Sequence, residues 1–119
     1  MASERDLIDS YEQLMTVSQK VLQSGHYEAA FHALQAALHC AEALKDEQCL
    51  IAVQREAERQ HDFINNRSPA HGLSTRSAQQ RAGTNLYEIL IRQSSVHINR
   101  IQHERRQANM TNLPSVWNT

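Results

Sequence analysis

Glycine and proline are scarce in this 119-residue chain, at three and two residues. An all-β sandwich needs a turn signal about every 8–12 residues, so a chain with so few breakers excludes it. There are two cysteines, Cys40 and Cys49, and no CxxC pair. That leaves no disulfide framework, and a reducing cytosol is the expected compartment. No apolar run approaches the roughly 18 residues of a membrane span. The stretch Met1 to Asp9 is acidic and has no hydrophobic signal core. A G-x-S-x-G elbow and a glycine-rich phosphate loop are both missing, so no cofactor is expected. Lysine is absent after Lys45.

What is present favours helix. Ala, Gln, Glu, Leu and Arg are plentiful, while Thr and Val are sparse. The length suits one domain, and residues 1–107 read as a single helical unit followed by a flexible tail, 108–119, that carries Trp117. Leu7, Ile8, Tyr11, Leu14, Met15, Val21 and Leu22 form a stripe of helical period from Ser3 to about Gln23. Ser24-Gly25 breaks it. A second stripe, Tyr27 to Leu44, carries Ala30, Phe31, Leu34, Ala37, Leu38 and Ala41. The short break predicts an antiparallel hairpin. Asp46 is placed to cap a third helix over Glu47–Ile64. Asn65 to Thr75 reads as a loop around Pro69 and Gly72. A last helical pattern runs from Ser74 to Gln107. At 1.5 Å per residue it would span about 50 Å, too long for partners of ordinary length. Either Gly83-Thr84 breaks it in two, or its far end packs on a second chain as a homodimer. The expected fold is all-α, with four to five helices.

Charge divides unevenly. Residues 1–60 hold ten acids (Glu4, Asp6, Asp9, Glu12, Glu28, Glu42, Asp46, Glu47, Glu56, Glu58) and five bases. Residues 61–119 hold three acids (Asp62, Glu88, Glu104) and seven bases, all arginine. Arginine's planar fork fits phosphate and carboxylate. The second half either meets an anion or neutralises the first half. Arg67, Ser68, His71, Thr75, Arg76 and Arg81 gather around the loop and the start of the last helical pattern. Ser74 or Thr75 would cap that helix, and a helix N-terminus suits phosphate. A nucleotide, a cyclic dinucleotide or RNA would fit such a set. Metal binding is not expected: His32 and His39 lie two turns apart, about 10.5 Å of rise, beyond the reach of one zinc.

Two families share features with this chain. Leu14, Val17, Ser18 and Val21, then Gly25-His26-Tyr27-Glu28-Ala29-Ala30, Leu34 and Ala37 resemble a single tetratricopeptide repeat over residues 11–44. The resemblance implies a helical hairpin; a single repeat lacks the concave groove that a stack provides. The same segment is similar to the opening of HEPN domains. Arg92-Gln93-Ser94-Ser95-Val96-His97 matches the Arg-x(4–6)-His spacing of that family's ribonucleases. The HEPN resemblance implies Arg92 and His97 as catalytic residues, histidine moving a proton and arginine stabilising phosphate charge. Five residues apart on one helix, the two differ by about 140° in direction, so they would meet only across a bend or a dimer axis. The leading expectation is a non-enzymatic cytosolic adaptor or regulator that binds a protein partner, and an anionic ligand, through its arginine-rich half. A HEPN-type ribonuclease, or an inactive relative, is the alternative.

Overall fold

The computed structural model describes residues 3–80 and 83–111. Five α-helices follow one another: α1 (Ser3–Gln23), α2 (Tyr27–Leu44), α3 (Glu47–Arg67), α4 (Thr75–Gln80) and α5 (Leu86–Thr111). No strand occurs among the described residues.

The α1–α2 hairpin follows from its turn. Gly25 has φ +84°, the left-handed region that an L side chain resists. The Gly25 and His26 amides donate to Leu22 O and Val21 O, at 3.0 and 2.9 Å, closing the end of α1. The same pattern ends α2, with Lys45 (φ 52°) in the glycine's place: Lys45 N donates to Glu42 O and Asp46 N to Ala41 O. Small side chains let the two helices approach closely. Ser18 and Ala30 are fully buried, and the Ser18 hydroxyl donates to Ala30 O at 2.6 Å.

Asp46 caps α3 as the sequence suggests, its carboxylate accepting from Cys49 N at 3.1 Å. The helix then runs one turn past Ile64, so Asn65, Asn66 and Arg67 are helical where a loop was expected. The actual loop is 68–74, and Leu73 anchors it in the core. The long terminal pattern is divided into α4 and α5. Ser74 caps α4, its hydroxyl accepting from Ser77 N at 3.0 Å. Asn85 caps α5, its side-chain oxygen accepting from Tyr87 N and Glu88 N while its amide nitrogen donates to Leu73 O. α5 continues to Thr111, four residues beyond the expected end at Gln107. Trp117 lies outside the described residues.

The core is shared by α2, α3 and α5. Leu34, Leu38, Leu50, Val53, Ala57 and Leu90 are closed to solvent, and Phe31 meets Tyr87 edge-to-face at 5.2 Å. α2 lies against α1, α3 and α5, and α3 packs most closely on α5. α3 reaches α1 through hydrogen bonds at Cys49, Glu56 and Gln60, and α5 through Glu47, Gln54 and His61.

A polar network threads this apolar interior. Gln60 is fully buried; its amide nitrogen donates to Ser18 Oγ at 2.7 Å and to Glu56 Oε2 at 2.9 Å. Its oxygen accepts from the Tyr87 phenol at 2.6 Å. Glu56, itself buried, is held by Arg59. No buried side-chain polar atom is left without a partner among the described residues, which is the condition for such a network to be tolerated.

Candidate functional site

The loop that collected Ser68, His71 and Thr75 spends those side chains on its own architecture. Ser68 Oγ lies 3.0 Å from the Tyr27 phenol. His71 accepts from Leu73 N through Nδ1 and packs edge-on against Tyr27 at 4.9 Å. Thr75 Oγ1 meets His61 Nε2 at 2.7 Å and accepts from Asn65 Nδ2, while Thr75 N donates to Asn65 Oδ1 at 2.8 Å. Arg67, at the end of α3, lies over the Phe63 ring at 4.8 Å. Arg67 and Arg76 are exposed and make no ion pair among the described residues. Arg81 lies outside them. What the loop offers an anion is therefore two separate guanidinium groups, with its hydroxyls and imidazole already engaged.

Arg92 and His97 take different directions. Arg92 is exposed on the outer side of α5, and no hydrogen bond or ion pair joins it to His97. His97 is partly buried and turns towards α2, where its Nε2 lies 3.3 Å from Glu42 Oε2. His39 approaches the same oxygen at 3.9 Å. Around this contact the end of α2, the start of α3 and the middle of α5 enclose a cleft of about 130 Å³. Glu42, Lys45, Leu50, His97, Arg100, Ile101 and Glu104 line it. The arginine that shares surroundings with His97 is thus Arg100, one turn on. The sequence carried half of that signal, because His97, Arg100, Ile101 and Glu104 recur at helical spacing. Glu42 and Lys45 belong to another helix, and only the tertiary fold brings them there.

The outer side of α5 carries a different set. Arg92, Val96, Asn99, His103, Arg106 and Met110 follow one another three or four residues apart, and all six are exposed. Such spacing lays them along one side of the helix, over about 27 Å. None of the three basic side chains has an acidic partner among the described residues. Arg105, itself exposed, reaches across to α3 and pairs with Glu47. Among the described residues, neutralisation of the acidic half by the basic half is therefore confined to a few contacts, and Arg92 and Arg106 of the outer stripe stay unpaired.

The remaining reactive groups are quiet. Burial, followed by the charge of Asp46, pushes the Cys49 thiol upward, so it is not poised as a thiolate. The Tyr11 and Tyr87 phenols are both raised, chiefly by burial; Cys49 adds to the first and Glu56 to the second. Among the described residues no three His, Cys, Asp or Glu side chains gather as a metal-ligand set. No helix among them is long and apolar enough to cross a membrane. Comparison with protein-family models, curated proteins and solved structures returns no match.

Proposed function

We propose that the protein is a non-enzymatic helical adaptor that holds an acidic amphipathic helix of a protein partner along the outer side of α5. The observation that carries this reading is the exposed stripe itself. Val96 and Met110 supply apolar contact, and Arg92 and Arg106 supply positive charge with no acidic partner among the described residues, His103 lying between them. A helix with apolar residues about four turns apart and glutamates between them is the complementary surface. A second copy of this chain docked on the same stripe would set cations against cations, because a two-fold interface presents the same patch from both sides. Charge here favours a different, acidic partner and raises the rate of encounter with it.

The ribonuclease reading has less support. It needs Arg92 and His97 to act on one phosphate, and His97 is turned to Glu42.

The test is fluorescence anisotropy with a labelled synthetic helix of alternating leucine and glutamate turns. Binding should weaken with added salt and be lost in the double variant R92E/R106E, while the circular dichroism spectrum stays unchanged. Equal binding by that variant would overturn the proposal. So would tighter binding of a short RNA than of the peptide. Cleavage of that RNA by the wild type and not by H97A would instead favour the HEPN-type activity.

A further inference from the structure

We propose that the cleft among the end of α2, the start of α3 and the middle of α5 binds a small aliphatic zwitterion, a free α-amino acid of about the size of valine. Its lining has both signs of charge and an apolar floor. Lys45 and Arg100 are cationic, Glu42 and Glu104 are anionic, and Leu50 and Ile101 are apolar. Lys45, Arg100 and Glu104 make no ion pair among the described residues, so the charges around the cleft are not consumed by one another.

The two ends of the ligand are distinguished by what surrounds them. Glu42 Oε2 lies 3.3 Å from His97 and 3.9 Å from His39, and its Oε1 makes no hydrogen bond or ion pair among the described residues. It also lies at the C-terminal end of α2, where the helix dipole favours positive charge. The ligand's ammonium belongs there. Its carboxylate belongs with Arg100, whose guanidinium fork suits bidentate pairing, and with Lys45. The aliphatic side chain then covers Ile101, with Leu50 beneath it.

Size and net charge exclude the larger anions. About 130 Å³ is room for roughly four waters at liquid density and is well below the roughly 300–1,000 Å³ of pockets that take drug-sized ligands. A nucleotide or cyclic dinucleotide does not fit. With two cations and two carboxylates, the lining also has no excess of positive charge to hold a polyanion.

The test is an NMR titration of the ¹⁵N-labelled protein with L-valine, isobutyrate and isobutylamine, each alone. Valine should give saturable shifts confined to the amides around Glu42–Leu50 and His97–Glu104. R100Q and E42Q should each weaken it about tenfold, the effect of one lost charge-assisted hydrogen bond. Isobutyrate and isobutylamine, with one charge each, should not saturate. The proposal is overturned if valine gives no saturable shift, if isobutyrate binds as tightly as valine, or if both variants bind as the wild type does. The R92E/R106E protein should titrate like the wild type, so loss of the partner surface and loss of this site are read separately.

Discussion

The Tyr87 phenol and the Gln60 side-chain oxygen meet at 2.6 Å inside the core, tying the start of α5 to the middle of α3. Through Gln60 the same contact reaches Ser18 on α1 and Glu56. One glutamine therefore links three helices, and the network is satisfied only when all three are in register.

Removing the phenol should be costly for its size. Tyr87→Phe keeps the ring against Phe31 but leaves Gln60 Oε1 buried without a donor. A loss of about 1–3 kcal/mol is expected, read as a lower urea midpoint with unchanged slope. Stability equal to wild type would mean that the network has no energetic role.

Stability should fall in alkali. The folded protein holds the Tyr87 proton to higher pH than the unfolded chain does, because burial and then Glu56 oppose the phenolate. Stability from this group is complete below about pH 10 and is lost above it, by about 1.4 kcal/mol per pH unit while only the unfolded chain is ionised. Tyr11 adds to the trend with the same sign. Urea midpoints at a series of alkaline pH values should decline less steeply in Y87F. An identical decline in both proteins would refute the assignment.

The two helix ends with left-handed residues should respond in opposite directions. Gly25→Ala places a Cβ at φ +84° with nothing within 4 Å of it, so its cost of about 1 kcal/mol is conformational alone. Lys45→Gly relieves the same strain at φ 52° and should stabilise by several tenths of a kcal/mol. Thermal unfolding of the two variants checks both signs.

Asn85→Ala should cost more than an ordinary cap. It removes the acceptor for Tyr87 N and Glu88 N and also strips Leu73 O of a buried donor. A loss at or above about 2 kcal/mol is expected, with the 68–74 loop gaining hydrogen exchange. Asp46→Ala, whose cap is exposed, should cost about 1 kcal/mol.

The helices were legible because their signals are local. The stripes over Ser3–Gln23 and Tyr27–Leu44, the break at Gly25 and the cap at Asp46 each depend on residues a few positions apart. Asn85 was legible in principle, being a capping residue directly before an apolar run. It was obscured because Gln79, Gln80 and Arg81 before Gly83 and the apolar set from Leu86 after it continue a helical pattern. Gln60, Glu56 and Ser18 could not be read as interior positions. A polar side chain on a helix is assigned to solvent unless its partner is known, and the contacts that join these three to other helices include partners 27 to 42 residues away. The same reason hid Glu42 and Lys45 beside His97. Spacing along α5 paired that histidine with Arg92, and packing paired it with Glu42 and Arg100.

α1 carries Glu4, Asp6, Asp9 and Glu12 against Arg5 and Lys20, and α5 carries Arg92, Arg100, Arg105 and Arg106 against Glu88 and Glu104. α1 packs chiefly on α2 and α5 chiefly on α3, so a chain almost neutral in total carries a permanent electric moment between the two. Any strongly charged body nearby exerts a torque on it before contact, and at low ionic strength the molecule arrives already turned, arginine side first towards an acidic surface and α1 side first towards a basic one.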